Sequence, residues 1–180
     1  MVKYVSMDNL ILIGMPGCGK STAGVLLAKT IGYGFIDSDL VLQAREKCLL
    51  AELIEKKGID GFIEAEKEAN RSIVADRCVI STGGSAIYSD EAMQYLKTLG
   101  KIIYIKLPYA TILNRLGNII VSRGVVIKRG ESLKDLYDER VPLYEKYADF
   151  VVDAEGQTAE ETVRALYELY DFIQSEKGEK

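Results

Sequence analysis

Between Gly14 and Thr22 the chain reads Gly-Met-Pro-Gly-Cys-Gly-Lys-Ser-Thr, directly after the apolar run Leu10-Ile11-Leu12-Ile13. No other stretch narrows the choice of fold as much. Gly14, four unrestricted positions, then Gly19, Lys20 and the Ser21 hydroxyl form a P-loop, in which bare backbone N–H groups curl around phosphate oxygens. The geometry needs a buried strand to deliver the loop and a helix behind it whose N-terminus favours anions. In this reading Gly14, Gly17, Cys18 and Gly19 supply close backbone approach, Lys20 bridges the terminal phosphates, Ser21 ligates Mg2+, and Thr22 opens the helix. The plain alternative is an ordinary glycine-rich turn, against which the apolar strand before and the helical pattern after both speak.

The 180 residues fit one domain, and a chain of this size buries about 70% of its unfolded surface. A net charge of −4 argues against a nucleic-acid partner, which would demand a basic face to displace counterions. The absence of histidine excludes a His-based triad, a His general base and a His-ligated zinc, and leaves the chemistry to carboxylates, Lys, Arg, hydroxyls and backbone. Cys18, Cys48 and Cys78 are odd in number and lie in unlike contexts, which reads as free thiols in a reducing compartment. Cys18 sits among amides that would favour a thiolate, although a small residue in a tight loop is the simpler account. Apolar runs too short to span a bilayer and the absence of a signal-like start give the expectation of a soluble cytoplasmic protein with no membrane partner. Residues 1–6 read as a loose extension, or as a lengthening of the first strand.

Short apolar strands alternate with amphipathic helices along the rest of the chain. The strands are expected at Phe35-Ile36, Cys78 to Ser81, Ile102 to Ile105 and Phe150 to Val152. Helices are expected from Thr22 to Thr30, Leu40 to Lys47, Leu49 to Lys57, Ile59 to Ala75, Asp90 to Leu99, around Ile112 to Leu116, Ser132 to Tyr147 with a break or kink before Pro142, and Ala159 to Ile173. A polar tail from Gln174 is expected to fray. This alternation describes an α/β fold with a parallel sheet covered on both faces, whose ligands bind at the carboxyl ends of the strands.

The P-loop, Asp37-Ser38-Asp39 and Gly83-Gly84-Ser85 each follow a strand and so converge on one cleft. Asp37 and Asp39 suit a division of labour in which one orients Mg2+ and the other takes a proton from an acceptor hydroxyl. The bland alternative makes Asp39 a cap for the next helix. Arg115, Arg123, Lys128 and Arg129 crowd a glycine-rich stretch of the kind that closes cations over a transferring phosphoryl group, although surface arginines are usually just solvated.

Taken together, the P-loop, Phe35-Ile36-Asp37-Ser38-Asp39, Ser81-Thr82-Gly83-Gly84 and Arg140-Val141-Pro142-Leu143-Tyr144, in this order and spacing, resemble the shikimate kinase family over about residues 9–163. The resemblance implies a three-layer P-loop fold of the nucleoside monophosphate kinase type: a five-stranded parallel sheet flanked by helices in one domain, a substrate-binding helical region at about 39–76 and a mobile lid at about 117–130. It implies transfer of the ATP γ-phosphate to a hydroxyl of a small hydroxy acid, with ATP and Mg2+ required. By the same resemblance the catalytic residues are Lys20, Asp39 and Arg123, Ser21 and Asp37 serve the metal, and Phe62, Ile63, Gly83, Gly84, Ser85 and Arg140 line the acceptor site with Asp39. The loop after Val152 would border the adenine.

Three positions depart from the family pattern. Ile63 stands where an arginine usually follows the phenylalanine, Ser85 replaces a third glycine, and the lid carries Arg123-Gly124-Val125-Val126. All three fall on the acceptor side or the lid. Shikimate is the first candidate acceptor, and a homoserine- or gluconate-type metabolite is the alternative, with Glu64 and Ser85 contacting an amine or further hydroxyls. A nucleotide-binding regulator without turnover is a second class, disfavoured because a binding module needs no base. A nucleotide kinase is a third. The partner is then a small molecule, the chain a monomer or weak homo-oligomer.

Overall fold

A computed structural model describes residues 8–116, 125–127 and 130–178. The expected extension at 1–6, together with Arg123, Lys128, Arg129 and most of the expected lid, lies outside the described residues.

Five strands form one wholly parallel sheet: β1 (Asn9–Ile13), β2 (Gly34–Asp37), β3 (Cys78–Ser81), β4 (Gly100–Lys106) and β5 (Phe150–Asp153), in the order β2-β3-β1-β4-β5. The described helices are α1 (Lys20–Ile31), α2 (Ser38–Glu46), α3 (Leu50–Arg71), α4 (Asp90–Leu99), α5 (Tyr109–Leu116), α6 (Leu133–Tyr147) and α7 (Ala159–Gly178), with a short 3-10 turn at Ala86–Tyr88. β1 is central and wholly buried, because each of its faces meets helices and a run of Leu and Ile needs no polar alternation there. Its first residue is polar for a reason. The Asn9 amide donates to Ala75 O at 2.9 Å and Leu99 O at 2.8 Å and accepts from Cys78 N at 2.9 Å, tying the amino ends of three neighbouring strands together. Strand order switches on either side of β1, so the carboxyl end of β1 opens into a crevice.

The region from α2 to α3 has a small apolar core of its own, built from Leu42, Leu53, Phe62, Ala65 and Ala69 and joined by Val126 from the far side of the cleft. α3 is one element with a bend at Gly58 (φ 69°, ψ −178°), where the sequence pattern breaks. It ends at Arg71, earlier than the expected Ala75.

Three expectations are corrected. α2 begins at Ser38, and its cap is Asp37, whose Oδ1 accepts the Asp39 amide at 3.0 Å, so Asp39 lies inside the first turn instead of capping it. α6 runs unbroken through Pro142, because only one N–H is lost and the neighbouring Arg140 and Tyr144 are anchored with 1% and 0% exposure. α7 continues to Gly178, so the polar tail is helical over most of its length. Among the described residues no helix is long and apolar enough to cross a membrane.

Candidate active site

The loop between β1 and α1 forms the floor of a cleft of about 880 Å³. Gly19 caps α1 with φ 102°, a left-handed conformation that a side chain would strain, and this turn points the first amides of α1 into the cleft. Lys20 is 7% exposed, and its Nζ donates to the carbonyls of Gly14 at 2.8 Å and Met15 at 3.1 Å. The ammonium is thereby held over the loop, on weak neutral acceptors that phosphate oxygens can replace. Cys18 is 3% exposed and packed under the same ammonium, with Sγ 3.7 Å from Nζ. At the end of α5, Arg115 reaches back to the loop, its Nη1 donating to Cys18 O at 3.3 Å.

The Ser21 hydroxyl donates to Asp37 Oδ2 at 2.7 Å and lies 3.1 Å from the Ser81 hydroxyl. A hydroxyl and a carboxylate joined beside a phosphate-binding loop are the donor set for a hard cation such as Mg2+, which takes one or two protein oxygens and completes its shell with phosphate and water. Among the described residues no cluster of three or more His, Cys, Asp or Glu is placed to hold a metal ion.

Another wall of the cleft is built over Gly83 and Gly84. A methyl group on Gly83 would overlap a Glu66 carboxylate oxygen and stand 2.7 Å from Asp39 Oδ1, and one on Gly84 would stand 2.8 Å from Pro16 and 3.1 Å from Arg140 Nη1. Glycine is favoured here by proximity, since two carboxylates, a guanidinium and the Pro16 ring crowd onto two residues of backbone. The Gly83 amide is held by the Ser38 hydroxyl at 3.0 Å, and the Gly84 carbonyl accepts from the Tyr144 hydroxyl at 2.6 Å. Arg140 is 1% exposed; its Nε donates to the Tyr88 hydroxyl at 3.1 Å, its Nη2 donates to Val126 O at 3.1 Å, and the guanidinium lies 5.1 Å from the Tyr88 ring centre.

Burial raises the Asp39 carboxyl to about 6, with the negative charge of Asp37 adding to the shift and Lys20 opposing it. Glu66, on α3 and 2% exposed, is pushed up further, to about 7. Burial is again the main cause; the Ser85 hydroxyl draws it partly back, Asp39 adds to it, and Arg140 and Lys20 oppose it. Among the described residues neither Glu66 oxygen has a well-formed hydrogen bond.

The structure therefore brings Gly17, Cys18, Gly19, Lys20, Ser21, Thr22, Asp39, Phe62, Gly83, Gly84, Ser85 and Arg140 to one cleft. Gly14 lies just beneath, offering its carbonyl to Lys20, and Asp37 joins through Ser21. Ile63 instead lines a separate apolar pocket of about 190 Å³ beside Val126, one helical step away from Phe62. Glu64 is turned to solvent and paired with Lys67 at 2.7 Å, so it is remote from the chemistry that its charge suggested. Glu66 is the residue that sequence reasoning missed. The signal was available: with Phe62 facing the cleft, the side chain one turn on, at i+4, is Glu66.

A family model described as Shikimate kinase matches residues 16–171. A shikimate kinase of Thermodesulfovibrio yellowstonii is 35% identical over 173 residues, covering 95% of this chain and 99% of the relative. One of Clostridium botulinum is 37% identical over 164 residues, covering 90% of this chain and 96% of the relative. Among solved structures, shikimate kinase from Acinetobacter baumannii in complex with shikimate superimposes with a TM-score of 0.82 at 28% identity, covering 97% of both chains. The shikimate kinase of Aquifex aeolicus gives 0.76 at 30% identity, covering 93% of this chain and 98% of that one.

Proposed function

The chain belongs to the shikimate kinase family, and from that premise we propose that it transfers the γ-phosphate of ATP to a hydroxyl group of shikimate. The observation that carries the reading is the placement of Asp39, Lys20 and Arg140 around one cleft, with a carboxylate between a phosphate-binding loop and a buried cation.

In this reading the α1 amides and Lys20 hold the β- and γ-phosphates, Lys20 exchanging the Gly14 and Met15 carbonyls for phosphate oxygens. Ser21 and Asp37 would hold Mg2+, which supplies charge neutralisation on the phosphate oxygens when bound. Asp39 accepts the proton of the acceptor hydroxyl as that oxygen attacks; burial has already made its carboxylate a better base than a solvated one. Arg140 pairs with the acceptor's carboxylate, and the Gly83-Gly84 backbone admits the ring close to Asp39. Arg123, outside the described residues, is assigned by resemblance to the transferring phosphoryl group. Phosphoryl transfer asks little covalent chemistry of the protein, and placement of charge around the leaving and attacking oxygens supplies most of the effect.

A coupled assay of ADP release with Mg-ATP and shikimate, homoserine or gluconate tests the assignment. Shikimate-dependent turnover is expected. Background rates with shikimate alongside clear turnover of another acceptor would replace it.

A further inference from the structure

Of the two carboxylates that line the cleft, Asp39 and Glu66, Glu66 is the more deeply buried. Its carboxylate is buried at 2% exposure, both oxygens lack a well-formed partner among the described residues, and it stands over Gly83 while Arg140 Nη1 stands over the adjacent Gly84. The groups facing it are Ser85 and Gly83 from the loop after β3, Asp39 from α2, Lys20 from α1 and Arg140 from α6. The two cations are already engaged: Lys20 with loop carbonyls, and Arg140 with the Tyr88 hydroxyl and the Val126 carbonyl. Ile63, about one turn earlier on α3, carries no charge and lines a separate apolar pocket.

An acceptor carboxylate drawn to Arg140 thus arrives beside a second, buried carboxylate. Two negative charges in a water-poor site repel strongly, and a proton on one of them removes the conflict. A protonated Glu66 also gains an O–H to donate, which the ionised form lacks.

We propose that Glu66 carries a proton whenever the acceptor is bound, so that binding of the hydroxy acid is linked to proton uptake at this residue. The inference rests on the acceptor being a carboxylic acid, as proposed above. Glu66 acts here as a specificity-setting residue: it makes the pocket's tolerance of an acidic acceptor depend on pH, separately from the base that works on the hydroxyl. Its own carboxyl titrates at about 7 before any acceptor enters. An added negative charge moves that titration upward, which is the linkage seen from the other side.

Initial rates with Mg-ATP and shikimate between about pH 5.5 and 9 give the test. In the wild-type protein KM for shikimate stays flat below about pH 7 and then climbs toward tenfold per pH unit, the slope of one linked proton. Glu66→Gln, which cannot ionise, removes the climb. Calorimetry on the wild-type chain serves even if that variant misfolds. At about pH 8, binding heats measured in buffers of different ionisation enthalpy should differ by the uptake of up to one proton. A pH-independent KM, buffer-independent heats, or an unaltered climb in Glu66→Gln overturns the proposal. Absence of both binding and turnover at every pH overturns the proposed acceptor, and this inference with it.

Discussion

The Arg140 guanidinium donates from Nη2 to the Val126 carbonyl at 3.1 Å, so the cation assigned to the acceptor's carboxylate also fixes the chain on the far side of the cleft. Val126 is 4% exposed and packs into the apolar core of α2 and α3. One side chain thereby links α6, the apolar core of α2 and α3, and the described part of the expected lid.

Arg140→Lys keeps the charge but loses the planar fork that serves Tyr88, Val126 and the acceptor together. KM for shikimate is expected to rise about ten- to a hundredfold, the worth of one bidentate carboxylate contact. KM for ATP should stay near the wild-type value, since Arg140 makes no contact with the P-loop among the hydrogen bonds described. Initial-rate kinetics with each substrate varied in turn check this, and an equal rise in both constants would show a general collapse of the cleft.

Asp39→Asn preserves shape and hydrogen-bonding reach but removes the proposed base. Turnover is expected to fall by about 10²- to 10⁴-fold, while ATP affinity, measured by nucleotide binding in the absence of acceptor, remains nearly unchanged. Normal turnover by this variant would take Asp39 out of the mechanism.

How far the sequence carried these assignments differs from one residue to the next. The P-loop was legible in full, because its chemistry is written in consecutive residues and depends on backbone that a strand and a helix position in only one way. The placement of Asp39 in the cleft was legible from its position just past β2, and that of Arg140 only from the family resemblance. Glu66 was not, because its i+4 spacing from Phe62 becomes a signal only once Phe62 is known to face the cleft; residue type alone does not separate it from Glu64 or Glu68, both of which face solvent and pair with basic neighbours. Burial is a tertiary property, fixed where α3 lies against the loop after β3. The Pro142 break failed for the same kind of reason: a local propensity was overridden by the buried side chains on either side.

Gly83→Ala tests the crowding of the acceptor floor. The added methyl meets Glu66 and Asp39 together, so both carboxylates must shift to admit it. Displacing the base by even about 1 Å is expected to cost on the order of a hundredfold in kcat/KM. Overpacking should lower stability by about 1–3 kcal/mol. Kinetics together with thermal unfolding separate the two effects, and a variant with wild-type activity would mean that the two side chains do not converge on Gly83 in solution.

Glu66→Gln should also show itself in the stability of the free protein as a function of pH. The folded carboxyl titrates at about 7, above its ordinary value of 4.5, because burial opposes ionisation. An acid raised in this way contributes fully below the unfolded value and loses that contribution as pH rises through the folded one, since the unfolded chain gives up its proton first. Between about pH 4.5 and 8 the wild-type protein should therefore lose on the order of 3 kcal/mol at this single site. Other groups titrate over the same range, so the informative quantity is the difference between variant and wild type. Denaturant unfolding at about pH 5 and pH 8 is expected to show the variant gaining on the wild type as pH rises. A difference that does not change with pH would mean that Glu66 ionises freely in the folded chain, with a cation or water satisfying it.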